Sequence, residues 1–98
     1  MSLSTHVLNA ATGRPAAGLL VRLTAQDITL AEHRTDHDGR ITGLPTPEAG
    51  VHRLIFETGD ISPFYPRVCI DFTIADPQQH HHVPLLVSPY SYSTYRGS

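Results

Sequence analysis

Through most of this chain apolar side chains recur at every second position, in short runs closed by clusters of Gly, Pro, Asp and Asn. A period of two belongs to a strand, whose successive side chains point to opposite faces, and no segment holds the 3.6-residue period of a helix. Many short strands between turn residues predict an all-β fold, a two-sheet antiparallel sandwich or a barrel. At 98 residues the chain has room for one domain, residues 1–98, with one core. So short a chain buries a modest share of its surface, and association of subunits is expected to add burial.

The first run, Ser4 to Asn9, ends at Ala11-Thr12-Gly13-Arg14-Pro15, a turn by its Gly and Pro. In the second, Gly18 to Ala25, residues Leu19, Val21 and Leu23 share the face expected to look into the core. The third spans Ile28 to Thr35, and Asp36-His37-Asp38-Gly39 after it reads as a tight hairpin turn that starts the next strand at Arg40. Pro45, Pro47 and Gly50 break the chain before Val51 to Glu57. There His52, Leu54 and Phe56 alternate with Val51, Arg53 and Ile55; neither set is plainly polar, which predicts a central strand covered on both faces. Gly59 to Pro66 reads as a loop and Arg67 to Ala75 as a strand with Cys69 on its outer face. His80 to Val87 and Tyr90 to Arg96 complete seven or eight strands, with no repeat and no linker.

Composition narrows the function. Charged residues make up 16% of the chain, below the usual ~25%, so little of the surface is bare charge. All seven basic residues are Arg, and His also numbers seven, which favours planar donors and titratable rings. A formal net charge of −2 without a basic run gives no footprint for nucleic acid or for an anionic membrane. Cys69 is the single cysteine, which excludes an internal disulfide and a multi-thiolate zinc site and suits a reducing compartment. No apolar stretch approaches the ~20 residues of a membrane span, Met1 to Val7 has no secretory pattern, and Arg96-Gly97-Ser98 is not a peroxisomal address. These absences point to a cytoplasmic protein.

Chemistry has few carriers. No Ser lies in a nucleophile motif, no Gly-rich phosphate loop occurs, and no paired carboxylates stand out, so activity has to rest on His, Arg and Tyr. In His80-His81-His82, alternation sends His80 and His82 to one face and His81 to the other. Two imidazoles on one face can hold a metal or move protons, although a His-rich surface strand end is the more common case. Zinc would need a third ligand such as His6 and an open position for water, and neither spacing nor composition asks for it. His6, between Thr5 and Val7, reads alone as a half-buried structural residue, and Arg40 as solvated or ion-paired. Tyr90 to Tyr95 holds three Tyr and three Ser or Thr; this end either frays or packs as an interface strand.

Together, Ser4-Thr5-His6-Val7-Leu8-Asn9-Ala10 with Gly13-Arg14-Pro15-Ala16, Asp38-Gly39-Arg40, His82-Val83-Pro84-Leu85-Leu86 and the terminal Tyr95-Arg96-Gly97-Ser98 resemble the 5-hydroxyisourate hydrolases of the transthyretin-like family. The terminal tetrapeptide is the most specific part, because in that family it separates the hydrolases from the hormone carrier transthyretin. His6, Arg40 and His82 stand where the carrier has Lys, Glu and Thr. The resemblance implies a sandwich of eight strands, dimerised edge to edge, with two dimers forming a homotetramer whose sites lie at the dimer–dimer contact. It implies His6, Arg40 and His82 as catalytic residues, with Ser93, Tyr95, Arg96, Gly97 and Ser98 around the substrate. The implied reaction is hydrolysis of 5-hydroxyisourate to 2-oxo-4-hydroxy-4-carboxy-5-ureidoimidazoline in urate degradation. It calls for no metal or organic cofactor, since adding water to a carbonyl transfers no electrons. The segment Gly59 to Tyr65 is too short for the helix the family carries there, and Asn9 stands where Asp is commoner. Three rivals predict other behaviour: a transthyretin-type module binding an aromatic ligand, a metal protein built on the histidines, and a structural sandwich indifferent to loss of His6 or His82.

Overall fold

The computed structural model describes residues 3–45 and 48–98; Met1, Ser2 and the break predicted at Pro47 lie outside the described residues. Its strands are β1 (Leu3–Asn9), β2 (Arg14–Pro15), β3 (Leu20–Ala25), β4 (Ile28–Arg34), β5 (Arg40–Leu44), β6 (Gly50–Glu57), β7 (Arg67–Ile74), β8 (His81–His82), β9 (Leu85–Ser88) and β10 (Ser91–Thr94). Apart from the two-residue β2, these follow the runs that alternation marked out, except that the run His80 to Val87 is broken at Val83-Pro84 into β8 and β9, since proline has no N–H for a ladder; no helix occurs among the described residues.

They form two sheets. One has the order β4-β3-β6-β7; in the other, β1 pairs with β2, β5, β8 and β9, and β10 extends the sheet beyond β9. Most ladders are antiparallel, but β1 runs parallel to β8 and β9. Alternation fixes which face a side chain takes, not which strand lies beside it or in which direction, so these two pairings were not legible in the sequence.

Between the sheets lie Leu3, Val7, Leu85 and Val87 from one side and Val21, Leu23, Leu54, Phe56 and Val68 from the other, all buried. Each large side chain so buried contributes about 1.5–3 kcal/mol. Thr5 also points inward, and its hydroxyl donates to the Val83 carbonyl at 2.6 Å, so the polar atom is satisfied inside the core.

Strand β6 departs from expectation. His52, Leu54 and Phe56 are buried, but Val51 and Arg53 are exposed, so one face of this strand is covered rather than both. The outer face instead carries cross-strand ion pairs between registered partners: Arg53 with Asp71 at 2.7 Å, Arg22 with Glu32 at 2.8 Å and Arg67 with Glu57 at 2.6 Å. The apolar residues interleaved with Arg53 concealed this polar face.

The turn at Asp36 to Gly39 also differs. It forms, with Gly39 at φ 75° and its N–H donating to the Asp36 carbonyl at 2.9 Å, but β4 and β5 belong to different sheets, so it is a corner rather than a hairpin. Positive φ is required here, and a Cβ on Gly39 would also press on the Val7 carbonyl. The tight hairpin joins β3 to β4 through Gln26 and Asp27, at φ 51° and 64°, the double positive φ of a two-residue type I′ loop.

The loop after β6 keeps a single turn, closed by Ser62 N–H to the Thr58 carbonyl at 2.9 Å. Two buried hydroxyls secure it: Ser62 donates to Pro89 at 2.7 Å and Thr58 to Tyr65 at 2.5 Å. Asn9 accepts amides from Ala11 at 3.0 Å and Thr12 at 3.3 Å, work that an Asp carboxylate would do equally well.

Candidate active site

Strand β1 is the axis of the site. Leu3, Thr5 and Val7 take its core face, so Ser4, His6 and Leu8 take the other. The antiparallel ladder with β5 sets Arg40 directly across from His6, and the parallel ladder with β8 sets His82 across from Ser4. Three segments remote in sequence thereby place His6, Arg40 and His82 on one face of one sheet.

Arg40 is held by its backbone. Its N–H donates to the Asp36 carboxylate at 2.9 Å and its carbonyl accepts the Asp36 N–H at 2.9 Å. The Asp36 carboxylate also accepts the Asp38 amide at 2.8 Å, and the Arg40 amide is the main cause holding its carboxyl below the ordinary range. No carboxylate among the described residues forms an ion pair with the Arg40 side chain.

His82 is the most constrained of the three. Its Nδ1 lies 2.7 Å from Ser4 Oγ, and the ring stacks on His80 at 6.4 Å between centroids and 13° between planes. Burial is the main cause that lowers its pKa from 6.5; the positive fields of Arg40, His80 and His6 add to this, and a hydrogen bond with the Ser4 backbone opposes it. The neutral imidazole, the form able to accept a proton, is therefore favoured.

The chain end completes the surroundings. Gly97 donates its N–H to the His82 carbonyl at 2.8 Å and forms a bridge with that residue, so the tail is packed rather than frayed. A Cβ at Gly97 would overlap the His82 ring. Tyr95 and Arg96 border a cavity of about 300 Å³ together with His82 and residues of β7, whereas His6 and Arg40 do not line it. Ser93 is registered with Leu86 and so shares the face of Leu8 and His6. It is exposed, as is Ser98. Arg96 reaches toward Gln79 Oε1 at 3.5 Å. His81 points into the protein, buried, with Nδ1 at 2.9 Å from the Gln79 carbonyl.

Other candidates are poorer. A cavity of about 650 Å³ between the turn after β1 and the loop after β6 is lined by Arg14, Arg34, Glu57 and Asp60 among others, and brings no histidine together with them. The convergence of metal-type ligand atoms among the described residues is at Asp36, His37 and Asp38, all exposed, rather than at the histidines near β8. Two residues of the site escaped sequence reading. Ser4 carried a signal, since it lies two positions before His6 on the same strand face; Asp36 was seen only as a turn former.

Known proteins resemble this chain over nearly its whole length. The model of the HIUase/Transthyretin family matches residues 3–97. The chain belongs to the HIUase/transthyretin family. A 5-hydroxyisourate hydrolase from Caulobacter vibrioides is 47% identical, over 98% of this chain and 97% of its own. The solved structure of a 5-hydroxyisourate hydrolase from Klebsiella pneumoniae superposes with a TM-score of 0.88 at 41% identity, with both chains fully covered. A sea bream transthyretin solved in complex with thyroxine gives a TM-score of 0.84 at 29% identity, over 97% of this chain and 93% of its own. The fold is therefore transthyretin-like. The alignment with the Caulobacter protein runs over 112 positions against the 98 residues here, so family members accommodate extra residues that this chain lacks.

Proposed function

We propose that this chain hydrolyses 5-hydroxyisourate to 2-oxo-4-hydroxy-4-carboxy-5-ureidoimidazoline, a step of urate degradation. The observation that carries the reading is near full-length identity of 47% to a hydrolase of that name, in a chain whose His6, Arg40 and His82 meet on one sheet face. The sea bream transthyretin, at 29%, is the more distant relative, which ranks an aromatic-ligand carrier second.

The chemistry needs a base for water, donors for the developing oxyanion and a proton for the leaving nitrogen. A neutral His82 takes the proton from water, with His6 beside it; general base catalysis of this kind is worth about 10²- to 10⁴-fold. Arg40 offers paired donors to the substrate's carbonyl oxygens. Tyr95, Arg96 and Ser98, with Ser93 on the adjoining strand, form the pocket wall, and Gly97 lets the tail close on His82. The histidines and Arg40 lie on an open sheet face of the single chain. This fits a homotetramer, a dimer of dimers, in which a second dimer roofs the site. Free, exposed Cys69 suits a reducing cytoplasm.

The test follows the ultraviolet decay of freshly generated 5-hydroxyisourate with wild type and His82→Ala. Acceleration by wild type and its loss in the variant is the expected result. A folded wild type that leaves the decay at the buffer rate, yet binds thyroxine, would replace the hydrolase with a carrier.

A further inference from the structure

Two imidazoles meet on one hydroxyl. Ser4 Oγ is 2.7 Å from Nδ1 of His82 and 3.4 Å from Nε2 of His80. Ser4 is only 8% exposed, so water competes poorly for that oxygen. Its backbone is fixed as well, because the Ser4 carbonyl accepts the Val83 N–H at 3.0 Å in the ladder between β1 and the strand of His82.

A hydroxyl carries one proton and two lone pairs, so it can donate to only one of these rings. If it donates to His82 Nδ1, then Nε2 of His82 carries the ring proton and cannot take one from water. If it donates to His80, it accepts Nδ1–H from His82 and leaves Nε2 of His82 with a free lone pair. The direction of one O–H bond thus decides whether His82 is a base.

We propose that Ser4 is the positioning residue of His82: its hydroxyl accepts Nδ1–H of His82 and donates to Nε2 of His80, keeping Nε2 of His82 unprotonated for the substrate water. This rests on the hydrolase reading above. In the addition step Nε2 takes a proton from water, the water oxygen bonds to the ring carbonyl carbon, and the carbonyl π pair moves onto its oxygen. His82 is then an imidazolium, and its Nδ1–H···Oγ contact becomes a charge-assisted hydrogen bond. When the oxyanion collapses, the C–N bond breaks and Nε2 returns the proton to the leaving nitrogen. Ser4 touches neither substrate nor water.

The surroundings of His82 make such a partner necessary. His6 on β1, Arg40 on β5, His80 ahead of β8, His81 within it and Arg96 on the tail are cationic or titratable, and Tyr95 of the tail and Asp71 of β7 border the same cavity as His82. Arg40, His80 and His6 oppose a charge on His82, a hydrogen bond with the Ser4 backbone works against them, and the Ser4 hydroxyl at 2.7 Å is placed to add to it. On the Cδ2 side of the ring the Gly97 backbone lies so close that a Cβ there would overlap it.

The experiment combines ¹⁵N NMR of histidine-labelled protein, which reads each ring tautomer without substrate, with kcat and KM for 5-hydroxyisourate across pH. Wild type is expected to hold His82 as the Nδ1–H tautomer. Ser4→Ala should move it toward Nε2–H and lower kcat roughly tenfold to a hundredfold, a part of the about 10²- to 10⁴-fold that a general base supplies, with KM nearly unchanged. Its acidic limb should move to lower pH, because the imidazolium loses an acceptor. Ser4→Thr should restore both tautomer and rate. Exposed His80, changed to Ala, removes the competing acceptor without disturbing the core and should also shift His82 toward Nε2–H. An Nε2–H His82 in wild type, or a tautomer indifferent to both Ser4→Ala and His80→Ala, would overturn the assignment. A wild type without hydrolase activity would instead defeat the hydrolase reading, leaving the tautomer measurement to decide Ser4 independently.

Discussion

Gly97 packs on His82 so closely that a methyl group at position 97 would lie well inside contact distance of Cδ2 of the imidazole. The tail is pinned there by the Gly97 N–H donating to the His82 carbonyl at 2.8 Å. Glycine is needed at this position for space rather than for an unusual backbone angle. Gly97→Ala should therefore push the ring off Ser4 and lower kcat/KM at least about tenfold, in line with the loss expected when an orienting contact to a general base is broken. Steady-state kinetics beside a melting curve separate this from unfolding: the rate should fall while the melting temperature changes by only a few degrees. A rate equal to wild type would show that the ring does not need this seat.

The second expectation concerns pH. Burial, followed by the charges around it, lowers the His82 pKa from 6.5. A base that must be neutral then stays active below pH 6.5, and the acidic limb of kcat/KM should lie under the ordinary histidine value. The sign for stability follows from the same shift. Protons bind the unfolded His82 more readily than the folded one, so its contribution is intact above pH 6.5 and is lost as pH falls through the lower folded value. Arg40→Gln removes one of the opposing charges, so the limb should move up in pH. A profile unmoved by Arg40→Gln would separate Arg40 from His82 electrostatically.

The residues of the candidate site could be singled out before the fold was known, but not their contacts. Alternation set His82 on the face opposite to His81, which is buried, and turned Val21 and Leu23 into the core, because strand period is a local property. The neighbours of His82 were out of reach: Ser4 is 78 positions away, and the contact depends on a parallel ladder that no local pattern encodes. Val51 and Arg53 misled for a related reason, since Arg53 is matched by Asp71 on the next strand and a single run does not reveal its partner.

Asp36 gives the third expectation. Its carboxylate accepts the amides of Asp38 and Arg40, and this keeps the carboxyl below the ordinary range. Asp36→Ala should loosen the start of β5 and raise KM several-fold while His82 stays in place. The group is exposed and its folded pKa is depressed, so its stabilisation is present above pH 3.8, the value expected for the unfolded chain, and fades as pH falls through the lower folded value. Acid titration of the melting temperature for wild type and variant should show the two curves meeting at the acid end. Curves that stay parallel would remove Asp36 from the corner's stability.

The last expectation sets the core against the outer face of β6. Phe56 is fully buried between the sheets, whereas Arg53, two strand positions from Ile55 and on the same face, makes a solvent-exposed pair with Asp71 at 2.7 Å. Phe56→Ala leaves a cavity that neighbouring Leu23 and Leu54 cannot close, and such truncations cost about 3–5 kcal/mol. That is a large part of the ~5–15 kcal/mol by which a domain is stable, so urea unfolding should show a midpoint shifted far down or no folded baseline at all. Arg53→Ala should leave the midpoint nearly unchanged, because an exposed pair gains little over its hydration. If the two variants instead shifted the midpoint equally, the outer face of this sheet would be covered in solution, and the face to re-examine for a subunit contact would be that of Arg53 and Asp71.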